Sequence, residues 1–180
     1  MITVIAGTNR KNSRTRLFAE YVVSCMQELG AEKVELLALE DLPTGMLHAD
    51  MYSEEGQSKA IGQLQDQFVI PAQKFYFVVP EYNGGIPGVL KSFIDACSIR
   101  KYKESFHGGK KAALLGVSSG RAGSLRGMDY MTGFLNYLQI NVMPNRQPVS
   151  SIEEFITDDQ LTNEGIKKLI KDHAKAFLDF

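Results

Sequence analysis

QKFYFVVPEYNGGIPGVLKSFIDACS occupies residues 73–98, and its succession of strand, bare turn and helix decides the fold. QKFYFVVP, residues 73–80, is a nearly continuous β-rich run, as expected of a strand buried on both faces. In IPGVLKSFIDACS, Pro87 suits a first helical turn. Val89, Leu90, Phe93, Ile94 and Cys97 then recur in steps of three and four, which makes one apolar helical face. Between strand and helix, PEYNGGIPG (80–88) holds two prolines and three glycines, a turn that leaves much of its backbone bare.

The same alternation extends in both directions. Upstream, Ile2 to Ala6 reads as a first strand. Leu17, Phe18, Tyr21, Val22, Cys25, Met26 and Leu29 stripe a helix over 14–29, and Gly30 is a plausible C-cap. Residues 33–39 read as a second strand, 43–57 as a long loop without period, and 58–69 as a helix. Downstream, RKYKESFHGGKK (100–111) reads as a basic loop and AALLGVS (112–118) as a strand. Met128, Met131, Phe134, Leu135 and Leu138 mark a helix, and 140–143 a short strand. Ile166, Leu169, Ile170, His173 and Phe177 stripe a final helix. Five strands alternating with five helices predict an α/β fold, a parallel sheet with helices on both faces. The doubly wound order 2-1-3-4-5 fits, and in it ligands bind outside the carboxyl ends of the strands, where strands one and three meet.

Composition agrees with one globular domain over residues 1–180. The chain is 44% hydrophobic and 23% charged, with a net charge of −1; this argues against a disordered chain and against a nucleic-acid-binding face. Cys25 and Cys97 lie in apolar helical patterns, as buried thiols of a reducing cytoplasm do. No apolar run approaches the roughly 20 residues of a membrane span, and the N-terminus starts directly in a strand rather than a signal peptide.

Three loops fall at the predicted switch. GTNRKNSRTR (7–16) runs from the first strand into a helix N-terminus, where free N–H groups and the helix dipole favour an anion. Thr8, Asn9, Asn12, Ser13 and Thr15 add short donors, and Arg10 a planar charged one suited to phosphate oxygens. An ordinary βα loop with Ser13 as N-cap is the plainer reading. Neither GxxxxGK[ST] nor GxGxxG is present, which disfavours a nucleoside triphosphatase and a dinucleotide fold. A terminal phosphomonoester fits better, since hydroxyls can wrap it on several sides. In the second loop, bare backbone beside Tyr82 suits the edge of a flat heterocycle. In the third, SSGRAGS (118–124), Gly120 and Gly123 permit close backbone approach. Arg14 and Arg16 read equally well as site charges or as solvated helix-end charges. His173 reads as a packed residue, and His48 and His107 are isolated. Met46, Met51 and Tyr52 read as a soft wall over the site, as a subunit contact or as mere loop.

With these residues in view, the chain resembles the NADPH-dependent FMN reductase family, flavodoxin-like proteins with azo-, quinone- and chromate-reducing relatives. The resemblance covers most of the chain, to about residue 143. It is carried by GTNRKNSRTR, by PEYNGGIPGVLKSFID, by DLP at 41–43 and by SSGRAG. It implies bound FMN, reduced by NADPH or NADH, passing electrons to a small-molecule acceptor. It also implies that Thr8, Arg10, Ser13 and Thr15 hold the phosphate. Pro80, Glu81, Tyr82, Asn83 and Gly84 would then border the ring, with Ser118, Gly120 and Gly123 on its other side. Lys91 and Asp95 match subunit-contact positions, so a homodimer or homotetramer is implied; Ala96 departs from the Trp common there. No catalytic side chain and no metal are implied. A flavodoxin-type carrier is the main alternative, although its acidic docking face is missing from a chain of charge −1. A receiver domain lacks its acidic cluster, since the first strand ends in Ala-Gly. A Cys-x5-Arg phosphatase loop begins at neither cysteine.

Overall fold

A computed structural model describes residues 1–42, 45, 48–53 and 55–180. Strands β1 (Ile2–Ala6), β2 (Val34–Ala38), β3 (Lys74–Pro80), β4 (Lys111–Val117) and β5 (Asn141–Val142) form a parallel sheet of order β2-β1-β3-β4-β5. The expected doubly wound α/β sheet is present. Its central strand alternates as the opening stretch requires: Phe75, Phe77 and Val79 enter one core, Tyr76 and Val78 the other, all nearly inaccessible. Burial of this kind contributes about 25 cal/mol per Å² of apolar surface.

Helices α1 (Arg14–Glu28) and α6 (Glu164–Asp179) cover one face, through Phe18, Val22 and Met26 from α1 and Ile170, Ala174 and Phe177 from α6. The other face is covered by α2 (Lys59–Leu64), α3 (Gly88–Ala96) and α5 (Leu125–Tyr137). Pro87 sits at the N-cap, one residue before α3 begins. The helix expected over 58–69 widens into a π turn at Gln65–Val69. There the buried Gln65 amide donates to the carbonyls of Cys97 and Arg100 and to Ser105 Oγ, at 2.9, 2.5 and 2.7 Å.

Three regions differ from the sequence reading. RKYKESFHGGKK is not only loop: Tyr102–Phe106 forms a helix, α4, too short to show a period, with Ser105 and Phe106 buried. Its Lys110 is also buried. The ammonium donates to Val69 O and Ile70 O, each at 3.0 Å, and burial lowers its pKa to about 8. The fifth strand is split. β5 pairs the first half of β4, the chain turns at Pro144, and β6 (Gln147–Val149) pairs the second half. Finally, β7 (Ile156–Thr157) and β8 (Gln160–Leu161) form an antiparallel hairpin that the sequence reading does not anticipate.

In the 43–57 segment, a 3-10 turn covers Ala49–Tyr52, with Met51 in the core and Tyr52 exposed. Met46 lies outside the described residues, as does Pro43 of the DLP stretch. Cys25 and Cys97 are buried free thiols, and burial raises the pKa of both. Among the described residues, no helix is long and apolar enough to cross a membrane.

Candidate cofactor site

The carboxyl ends of β1, β3 and β4 meet at a cleft of about 430 Å³. Thr8, Arg10, Ser13 and Thr15 line it from the first loop, Pro80, Glu81 and Tyr82 from the second, and Ser118 from the third. Asn83, Gly84, Gly120 and Gly123 lie outside that lining. Asn83, Gly84 and Gly123 still shape loops that reach the cleft, whereas a Cβ added at Gly120 would meet only open space. Asn12, Arg14, Val117, Ser119, Ile152, Glu153 and Asp159 also line the cleft. Of these, sequence alone names Asn12 as a donor and does not decide the role of Arg14. ITDDQL, residues 156–161, does carry a signal, because an Asp-Asp pair between two short apolar-polar strands suits a two-residue turn.

Local chemistry sets each loop. Gly7 sits where a Cβ would lie 3.0 Å from both Leu90 Cδ2 and Val78 O, so glycine lets β1 leave the sheet close to α3 without displacing either. Thr8 is buried and its Oγ1 meets Tyr82 Oη at 2.6 Å, tying the first loop to the second. The same Oγ1 accepts from Arg10 N at 3.2 Å. Ser13 is the N-cap of α1, accepting from Arg16 N at 3.2 Å. Its hydroxyl hydrogen remains free for a second acceptor. In the second loop, residues 82–85 close a reverse turn. Tyr82 and Gly85 exchange both backbone hydrogen bonds at 3.0 Å, with Asn83 and Gly84 at φ 51° and 78°. In the third, Ser118 Oγ donates to Gly120 O and accepts from Gly123 N, at 2.8 and 2.9 Å. Gly123 is at φ 56°, and a Cβ there would lie 2.7 Å from Pro148 Cβ.

The three arginines of the first loop divide by partner. Arg16 pairs with Glu20, with the buried Glu40 and with Asp41, at 2.8, 2.6 and 3.0 Å. The hydrogen bonds to Glu20 and Glu40 raise its pKa. Arg14 bonds Glu153 and Asp159 at 3.2 and 2.5 Å, and the Asp159 bond raises its pKa. Arg10 is exposed, lines the cleft, and has no salt-bridge partner among the described residues. In the same cleft, Glu81 Oε2 is buried and has no hydrogen-bond partner among the described residues. Among the described residues, no cluster of His, Cys, Asp and Glu could hold a metal ion. The cleft thus offers hydroxyl donors, one available guanidinium, an aromatic side chain and an unmet acceptor.

The sequence and the fold as a whole match those of known proteins. Residues 1–154 match the model of the NADPH-dependent FMN reductase family. A 2-hydroxy-1,4-benzoquinone reductase from Burkholderia sp is 26% identical over 98% of this chain and 89% of its own. An NADPH azoreductase from Bacillus sp. (strain OY1-2) is 30% identical over 97% and 88%. Among solved structures, FerB, a flavoenzyme NAD(P)H:(acceptor) oxidoreductase from Paracoccus denitrificans, superposes with a TM-score of 0.73 at 24% identity, covering 99% of this chain and 94% of that one. The chain belongs to the NADPH-dependent FMN reductase family, with FMN as cofactor and NAD(P)H as electron donor.

Proposed function

We propose that this family member passes electrons from NAD(P)H to quinones or azo compounds, with FMN seated in the cleft at the ends of β1, β3 and β4. The observation that carries the placement is the pairing of Arg10, an available cation beside three hydroxyls, with the unpartnered Glu81 Oε2 in one cleft. Thr8, Arg10, Ser13 and Thr15 would hold the phosphate. Charge-assisted hydrogen bonds are worth roughly 1.5–3 kcal/mol each, so several are needed to offset the desolvation of a dianion. Glu81 fits the remainder of the same cofactor, since the ribityl hydroxyls and the ring N3–H are the donors its orphan oxygen lacks. Pro80, Tyr82, Asn83 and Gly84 would border the ring on one side, and Ser118, Gly120 and Gly123 on the other. The open space beside Gly120 leaves room for that approach.

FMN, when bound, supplies the electron transfer between donor and acceptor. This chain's residues bind and orient it. The Thr8–Tyr82 hydrogen bond fixes the phosphate loop relative to the ring loop, so the two ends of the cofactor are positioned as one unit. The buried Ser118 holds the third loop closed through Gly120 and Gly123. Quinones and azo compounds are the acceptor classes that the named relatives suggest.

A second copy of the chain is the proposed occupant of a separate groove of about 810 Å³ between α3 and α5. Tyr130 and Tyr137 stand 49% and 81% exposed there, more aromatic surface than a lone chain gains by showing. Lys91 and Asp95, paired at 2.7 Å, lie in the same groove. The two buried free thiols support a reducing cytoplasm as the compartment.

The test is NADPH oxidation by the purified chain with a benzoquinone as acceptor, alongside calorimetric titration with FMN. Micromolar or tighter FMN binding and quinone-dependent NADPH oxidation are expected. Bound FMN without NADPH oxidation would identify a carrier instead, and no FMN binding would overturn the reading. Light scattering checks the dimer or tetramer.

A further inference from the structure

We propose that the β7–β8 hairpin and the turn before it form an acidic strap that closes the phosphate end of the cleft. The strap would admit a flavin ending in a monophosphate and reject one whose phosphate is extended by a second phosphate, as in FAD. The proposal rests on the FMN placement above.

The strap begins at the third loop. Ser151 N donates to Gly120 O and Ile152 N to Ser118 O, at 3.0 and 3.1 Å. From there the chain crosses to the first loop. Glu153 and Asp159 line the same cleft as Thr8, Arg10 and Ser13, so they face the end where the phosphate would sit. Their placement is set by backbone. The register Ile156↔Leu161 and Thr157↔Gln160 leaves two residues for the turn, and both, Asp158 and Asp159, have positive φ, 48° and 56°. Positive φ at both central residues is the geometry favoured in two-residue hairpin loops. Buried Ile152 and Leu161 anchor the strap to the core on either side of its tip.

Arg14 is the clasp. It is the first residue of α1, and its guanidinium bonds Glu153 and Asp159 together. The strap therefore neutralises the positive charge of Arg14 and leaves Arg10 as the cation for a phosphate. Formal charge over Arg10, Arg14, Glu153 and Asp159 sums to zero. One phosphomonoester can be held there by Arg10, by hydroxyls and by the helix N-terminus. A second phosphate, by contrast, would have to leave past the carboxylates of Glu153 and Asp159, where like charges repel. The family match ends at residue 154, so Glu153 lies inside the matched segment and the hairpin tip, with Asp159, outside it.

The experiment compares FMN, FAD and riboflavin binding, by calorimetry, to the flavin-free full-length chain and to a Glu153→Gln/Asp159→Asn variant. The parent chain should prefer FMN to FAD strongly. In the variant, FAD should tighten at least tenfold relative to FMN, with riboflavin unchanged. Asp159→Asn alone keeps a residue that tolerates positive φ at an exposed tip, so it folds, and it should shift the ratio in the same direction by a smaller factor. An unchanged FAD-to-FMN ratio in both variants overturns the proposal, as does equal tightening of both cofactors, which would make the carboxylates mere competitors for Arg14. If the parent chain binds no FMN, the placement fails and the strap with it; FMN binding with an unmoved ratio removes the strap alone.

Discussion

Replacing Arg10 by Ala should weaken FMN far more than riboflavin. Three arginines lie in the first loop, and two are committed: Arg14 to Glu153 and Asp159, Arg16 to Glu20, Glu40 and Asp41. Arg10 alone among them lacks a salt-bridge partner in the described residues. A charge-assisted hydrogen bond contributes roughly 1.5–3 kcal/mol. Arg10 is exposed, so water screens it, and the lower part of that range applies, about 1.5–2 kcal/mol. At 1.4 kcal/mol per decade this is about a 10- to 30-fold rise in the FMN dissociation constant. Riboflavin lacks the phosphate and should bind the variant and the parent within about twofold. Arg16→Ala should behave differently. It strips the partner from the buried Glu40 and should lower thermal stability without a selective loss of FMN. Calorimetric titration of both flavins into each flavin-free protein, with thermal melts as a folding control, decides the matter. Equal loss of FMN and riboflavin in Arg10→Ala, or no loss of either, would refute the assignment of this arginine to the phosphate.

Other substitutions probe the frame around the site. Tyr82→Phe removes the 2.6 Å bond to Thr8; about 0.5–1.5 kcal/mol should be lost, seen as a Tm lower by roughly 1–6 °C, and an unchanged Tm would deny the coupling of the two loops. Gly123→Ala forces a left-handed backbone and a Cβ against Pro148; a loss of about 2–4 kcal/mol, or roughly 5–15 °C in Tm, is expected. Gly120→Ala meets open space; it should leave the Tm unchanged while weakening FMN, and intact FMN binding would remove Gly120 from the site. His173 is buried between Tyr76 Oη, 2.5 Å from Nδ1, and Asn145 O, 2.7 Å from Nε2. Nε2 therefore carries the hydrogen and Nδ1 accepts. Burial lowers the pKa of His173, and the Asn145 bond opposes this only in part. The unfolded chain then binds the proton more readily, so the contribution is complete above about pH 6.5 and is lost as pH falls below it. Urea midpoints should drop between about pH 7 and 5 in the parent and drop less in His173→Gln; parallel curves would refute the linkage.

The opening stretch made the architecture legible because β3 is buried on both faces and α3 on one, so each carries an unbroken pattern. The same physics explains what could not be read. β5, β6, β7 and β8 are two or three residues long, too short to show a period; β4, about 30 residues away, decides the pairing of β5 and β6, and β7 and β8 pair only with each other across a two-residue turn. α4 is held by its burial of Ser105 and Phe106 rather than by any period. In the site, the hydroxyls of the first loop are local signals, which is why Thr8 and Ser13 could be named as donors in advance, whereas Glu81 and Ser118 are named through the family resemblance. Arg14 could not be resolved from sequence, because its partners Glu153 and Asp159 lie 139 and 145 residues away. Only the fold shows that this cation is already engaged.

The split outer strand has a consequence for what can pair with that edge of the sheet. A long, flat strand at a sheet edge is a template on which another chain can continue the sheet without limit. Here that border is two short pieces with Pro144 between them and Pro148 inside the second, and proline carries no N–H to extend a ladder. The border therefore gives an incoming strand no continuous row of donors. Open-ended stacking through this border is thereby disfavoured.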